Sequence, residues 1–219
     1  MQRKDYFSSQ AKTYAAFRPT YPERLYEFIF THLEVRHAAW DCATGNGQVA
    51  RRLSRGFTSV YATDISEAQL NNAHKEKNIF YSIAPAEKTA FADQQFDLIT
   101  VAQALHWFDL PLFYDEVRRT LKQGGLLAVW GYSMLTVDAA IDPLFEDFYF
   151  NEVGLYWDEA RKLVEDRYRN VAFPFAEIPG PEFSIDVRWD LEQFLGYLRS
   201  WSATQAYIKA NSSDPVEKF

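Results

Sequence analysis

Residues 41 to 50 read DCATGNGQVA, an acid followed by two glycines one residue apart. Glycine lets the backbone approach a ligand closely. A helix opening after the loop would aim its free N–H groups at that ligand. Gly45, Gly47 and Ala50 satisfy the pattern G-x-G-x-x-G/A, and Asp64 lies 17 residues past Gly47. A carboxylate there accepts hydrogen bonds and donates none, which suits the two hydroxyls of a ribose. A second group of chemically capable residues is QALHWF, with Gln103, His106 and Trp107. His106 is the obvious candidate for a general base, because an unperturbed imidazole titrates near neutrality. The four histidines, at 32, 37, 74 and 106, lack metal-ligand spacing, so no metal site is expected.

The glycine loop and Asp64 would serve a nicotinamide dinucleotide and S-adenosylmethionine equally. Asp41 favours the second. Beside a pyrophosphate an extra carboxylate repels; beside an ammonium group it attracts, at least through water. No Tyr-x-x-x-Lys pair follows the fourth strand and no acid–His pair is evident, so dehydrogenase chemistry has no visible apparatus. A nicotinamide-dependent oxidoreductase and a non-catalytic cofactor-binding protein both stay open at this point.

Alternating elements must position these residues. AAWDCA reads as a strand and GQVARRLSRG as a helix closed by Gly56. SVYATD is a strand, and SEAQLNNAHK a helix with Ser66 and Gln69 set for a capping box. IFYSIA and FDLITVAQAL are strands. DLPLFYDEVRRTLKQGG is a helix capped by Asp109 and stopped at Gly124, and LLAVWGY is a fifth strand. Near-continuous apolar strands alternating with helices predict a doubly wound, mostly parallel α/β sheet of Rossmann-like type, with helices on both faces. From residue 133 the pattern is helical. Ile141, Leu144, Phe145 and Phe148 share one face, and Trp157, Ala160, Val164 and Tyr168 another. Pro174, Pro179, Gly180 and Pro181 then break the chain before a late strand, EFSIDVRWD, and a helix capped by Asp190.

The pieces FSSQAKTYAAFRPTYP, DCATGNGQ, ATDIS, APAEKTAF, FDLITVAQALHWFD and LKQGGLLAVWGY occur in an order that resembles the class I S-adenosylmethionine-dependent methyltransferases. The nearest likeness is the small-molecule subgroup that includes trans-aconitate methyltransferase. The resemblance covers about residues 5 to 132. It implies S-adenosylmethionine as cofactor, with Asp41, Ala43, Gly45 and Gly47 lining its methionine end. Ala43 stands where the family often has glycine. Asp64 would hold the ribose hydroxyls, with Ile65 beside the adenine and Ala86 and Glu87 at its edge. Gln103 and Ala104 would lie near the sulfonium, and His106 and Trp107 would face the acceptor. Tyr14 and Arg18, with Phe7, would cover the cofactor from the opening helix. The family's sheet has seven strands. Here EFSIDVRWD can be the sixth, and the polar stretch SATQAYIKANSSDPVEKF offers no convincing seventh. That would leave the fifth strand's edge unpaired or covered by another chain.

The expected organisation is one domain over 1–219. Cofactor-covering helices occupy 1–37, the cofactor-binding core 38–132, a helical lid 133–181 after the fifth strand, and a late strand and helix 182–219. A net charge of −7 supplies no basic surplus for a phosphate backbone, so a small-molecule acceptor is expected rather than a nucleic acid. No apolar run is long enough to span a membrane, and MQRKDYFSSQ has no signal-peptide core. One cysteine excludes an internal disulfide framework and fits the cytoplasm. A monomer or homodimer is expected.

Overall fold

The computed structural model describes residues 17–219. Its centre is a five-stranded sheet: β1 (Ala38–Cys42), β2 (Ser59–Asp64), β3 (Ile79–Ile83), β4 (Phe96–Ala102) and β5 (Leu121–Trp130). The order is β3-β2-β1-β4-β5, and every pairing is parallel. The chain therefore reverses its direction of winding between β1 and β4. In such sheets ligands bind at the carboxyl ends of the strands beside that switch.

Alternation along the strands builds a core on each face. Ala39, Val60, Ala62 and Leu98 pack against α1 (Glu23–Thr31) and α2 (Gln48–Leu53) through Leu25, Tyr26, Ile29, Val49 and Leu53. Trp40, Cys42, Ile99 and Val101 face the other way, onto Phe113, Tyr114 and Val117 of α4 (Leu110–Thr120). Between them in sequence, α3 (Glu67–Asn71) starts at Ser66, whose hydroxyl accepts the Gln69 N–H at 3.3 Å. The helix at 110–120 starts as its sequence predicts, with the Asp109 side chain accepting the Leu112 N–H. It ends earlier than expected, at Thr120. Gly124 lies inside β5 rather than stopping the helix, at φ +75°, where the register against β4 shifts between Phe96 and Leu98.

A third core belongs to the later part of the chain. α5 (Asp142–Asp147) runs into a wider turn over Phe148–Glu152, and α6 (Arg161–Glu165) follows. Phe145, Phe148, Tyr149 and Val153 pack on Tyr197, Leu198, Trp201 and Ala203 of the segment holding α7 (Leu191–Arg199) and α8 (Ser202–Asn211). α7 begins in a full capping box between Asp190 and Gln193. The helix read through Trp157, Ala160, Val164 and Tyr168 is shorter than its periodicity suggests. Only Arg161–Glu165 is α-helical, because Arg167 and Tyr168 both turn to positive φ.

Residues 182–190, read as a strand, form no regular element. Their alternating pattern is real, but Pro179, Gly180 and Pro181 precede them, and they make no ladder with β5. A cavity of about 510 Å³ lies there instead, between Trp130, Tyr132 and Met134 on one side and Phe183, Val187 and Trp189 on the other. The polar segment after Trp201 is helical, as α8. Among the described residues no helix is long and apolar enough to cross a membrane.

Candidate functional site

The loop after β1 carries the positive-φ residues that the sequence predicts for glycine, and one that it does not. Gly45 has φ +56° and Gly47 φ +78°, but Ala43 also takes φ +53°. A Cβ on Gly45 would meet no atom within 4 Å, so open space lies beside the loop there. A Cβ on Gly47 would collide with the Tyr81 hydroxyl. Both glycines are thus required, the first by conformation alone and the second by conformation and close packing.

Asp64, at the end of β2, reaches back to this loop. Its Oδ2 accepts the Gly45 N–H at 2.8 Å, and its Oδ1 accepts the Ser66 N–H at 2.9 Å. Each carboxylate oxygen has two acceptor positions, a donor-free group of the kind that suits a diol. Asp41 behaves differently. It is 1% exposed and lies on the α2 face of the sheet. Its oxygens accept from the Thr44 hydroxyl, from the Thr100 hydroxyl at 2.9 Å and from the Ala50 N–H at 3.0 Å. Burial pushes its carboxyl up to about 6, against these three hydrogen bonds. Asp41 therefore ties the loop to β4 and to the first turn of α2, and its influence on a bound ammonium would pass through the loop.

The remaining predicted residues form two groups. Ala86 and Ala104 are buried in one cluster with Cys42, and Ala43 and Trp107 pack against it. Glu87 Oε1 accepts the Asp109 N–H at 3.0 Å, joining the loop after β3 to the start of α4. Ile65 is 45% exposed beside Asp64, an apolar surface at the strand ends. The second group is Arg18, Gln103, His106 and Trp107, which line one cavity of about 50 Å³. Gln103 follows β4 at φ +55°, and its Nε2 donates to the Tyr132 carbonyl at 2.6 Å. Arg18 donates to the Tyr132 hydroxyl and to the Ser200 carbonyl, both at 3.1 Å. It braces the first described residues against β5's continuation and the α7–α8 junction. Tyr14 and Phe7 lie outside the described residues.

His106 is enclosed. Its Nδ1 is 3.0 Å from the Tyr168 hydroxyl, and its ring packs at 4.6 Å from Trp107. Burial, with the nearby Arg161 cation, lowers its pKa to about 3. A group that weak gains little as a proton acceptor at neutral pH. Its enclosure thus holds it below the value of an open imidazole.

The sequence reading missed the other wall of this cavity. Trp157, Asp158 and Arg161 come from the start of α6, and Tyr197 and Trp201 from the α7–α8 segment. Trp157 stood in the sequence only as a position on a helical face. Its neighbour four residues on, Arg161, was the available signal, an arginine within the aromatic run GLYWDEAR. The space beside Gly45, the acceptor carboxylate of Asp64 and the exposed Ile65 fit a ribose and an adenine at the strand ends. The second cavity includes Gln103, just past the end of β4.

Comparison with known proteins gives a consistent picture. The profile of the methyltransferase domain matches residues 40–129. A methyltransferase-family protein of Dictyostelium discoideum is 37% identical over 219 residues, covering 98% of this chain and 83% of its own length. A Saccharomyces cerevisiae protein assigned as an S-adenosylmethionine-dependent methyltransferase is 26% identical, covering 92% of this chain and 82% of its own. A solved structure of a type II methyltransferase candidate from Anaeromyxobacter dehalogenans superposes with TM-score 0.84 at 36% identity, over 93% of this chain and 86% of that one.

Proposed function

Because this chain belongs to the class I S-adenosylmethionine-dependent methyltransferases, we propose that its methyl acceptor is a small organic acid. Membership sets aside the nicotinamide reading of the glycine loop. The cofactor supplies a methyl group already activated on a sulfonium. The chain must hold the acceptor in line with that group and exclude water.

In this reading the loop at Ala43, Gly45 and Gly47 takes the methionine end, and Asp64 takes the ribose hydroxyls. Ile65, Ala86 and Glu87 border the adenine, and Gln103 and Ala104 lie beside the transferring methyl. An ionised carboxylate is an adequate nucleophile without proton removal. Its oxygen forms the new C–O bond as the S–C bond breaks, and the pair of electrons leaves on sulfur. The observation that carries the proposal is the cavity at Gln103. It presents Arg161, with Arg18 held by Tyr132 and Ser200 and with Asp158 also on its lining, and an imidazole lowered to about 3. That lining favours an acceptor needing charge complementarity over one needing a base. The likeness to the trans-aconitate methyltransferase subgroup supports the same class.

The test is methyl transfer from S-adenosylmethionine to a panel of small carboxylic acids, amines and phenols, read as formation of S-adenosylhomocysteine and of methylated product. Ester formation on one or more acids is the expected result. Transfer only to amines or phenols would refute the acid reading.

A further inference from the structure

Arg161 is placed as a ligand-binding arginine rather than a structural one. It opens α6, and its guanidinium lies over the Trp157 ring at 4.9 Å and near the Tyr149 ring at 5.9 Å. Its Nε donates to the Tyr149 hydroxyl at 3.1 Å, and that hydroxyl donates to Glu165 Oε1 at 2.5 Å. The two aromatic rings and this relay fix the plane of the guanidinium. Among the described residues no carboxylate forms an ion pair with it, and the two terminal nitrogens make no hydrogen bond to protein. Both features are unusual for an arginine held this firmly, because its fork matches a carboxylate in two-point contact.

The other charged groups of the cavity do not fill this role. Arg18 is engaged by Tyr132 and by the Ser200 carbonyl. Asp158 faces the same space, but its Oδ1 accepts the Ala160 N–H at 3.1 Å, at the start of α6. His106 is held by Tyr168. The cavity is small, about 50 Å³.

We propose that Arg161 is the specificity-determining residue for the acceptor, gripping a carboxylate of the substrate through its two terminal nitrogens while Trp157 and Tyr149 hold its plane. This rests on the acid reading of the acceptor and adds the residue that selects it. Arg161 is carried by the helical segment after β5, so selection lies with the lid rather than with the cofactor-binding core.

The test uses the full chain saturated with S-adenosylhomocysteine. Acetate, malonate, citrate and phenylacetate are titrated by calorimetry against their uncharged amides, with inorganic phosphate as the competing anion class. The wild type is expected to bind at least one acid and not its amide. Arg161→Gln should weaken that acid by about 10- to 100-fold, the scale of a lost charge-assisted hydrogen bond. Arg161→Lys should fall between the two, and both variants should bind S-adenosylhomocysteine as the wild type does. In turnover the loss should appear in KM more than in kcat.

Acid binding unchanged in Arg161→Gln would overturn the proposal while leaving the acid reading intact. Phosphate binding in place of carboxylate would overturn its ligand class. S-adenosylhomocysteine binding without binding of any acid would overturn both this inference and the acid reading, and leave the methyltransferase assignment untouched. Equal affinity in the lysine and glutamine variants would show that charge at this position is not what selects the ligand.

Discussion

Asp41 and Ala43 sit two residues apart and carry different loads. Asp41 joins three donors in the closed interior, so its removal takes an acceptor from a hydroxyl on β4, a hydroxyl in the loop and an N–H of α2. Asp41→Ala is expected to cost about 3 kcal/mol, the range for breaking a buried charged network, measured by denaturant unfolding. Its pH signature is also definite. The folded carboxyl, near 6, lies above its ordinary value of 3.8. The folded state therefore holds the proton more tightly between those values. This contribution to stability is full below about pH 4 and is lost as pH rises through about 6. Asp41→Asn should abolish that slope. Ala43 holds φ +53°, where a Cβ is disfavoured. Ala43→Gly should raise stability by about 1 kcal/mol; an unchanged or lowered midpoint would show that the alanine methyl repays its strain. His106, lowered to about 3, stays neutral from pH 5 to 9. The kcat profile over that range should show no break near 6.5, the value of an open imidazole. A break there that vanishes in His106→Gln would restore it as a base.

The elements show what the sequence could and could not disclose. β1, β2 and β4 were legible because each is a compact apolar run ending at a chemically marked residue: Asp41 and Cys42, Asp64, and Gln103 just past Ala102. The caps at Ser66, Asp109 and Asp190 were legible because they depend on local spacing alone. The glycines at 45 and 47 pointed to the loop for the same reason. Three features were hidden because they depend on partners far along the chain. Gly124 follows a helical pattern, but the demand of β4 for a parallel neighbour converts residues 121–125 to strand. Residues 182–190 alternate like a strand and find no ladder. The cavity wall at Trp157 and Arg161 forms only when α6 meets Trp201 from α8's start and His106 beyond β4. Trp157 and Arg161 lie in a different element from His106, and no local spacing joins them to QALHWF.

At the scale of the whole molecule, the sheet has a closed middle and an open flank. β1 and β4 each have neighbours on both sides, whereas β5 pairs with β4 alone among the described residues. Alternate amides of β5 therefore have no strand on their outer side among the described residues, and Val129 and Trp130 border the cavity near Phe183. Hydrogen exchange should separate them, with fast exchange for about half of the β5 amides and slow exchange throughout β1. Uniform protection of β5 would show that its outer edge is covered in solution. The loop of Gly45 and Gly47 follows β1 at the centre of the sheet, and the cavity wall at Trp157 and Arg161 belongs to the segment beyond β5. In the proposed reading the fold thus gives donor and acceptor separate supports.

In the proposed reading the loop of Gly45 and Gly47, with Asp64, holds an adenosylmethionine cofactor. Calorimetric titration with S-adenosylhomocysteine, with NAD as the control ligand and Asp64→Ala as the control protein, addresses it most directly. Saturable one-to-one binding of S-adenosylhomocysteine by the wild type, none of NAD, and a loss of about 10-fold or more in Asp64→Ala are the predicted results. Binding of S-adenosylhomocysteine unaltered by Asp64→Ala, or binding of NAD instead, would contradict the account.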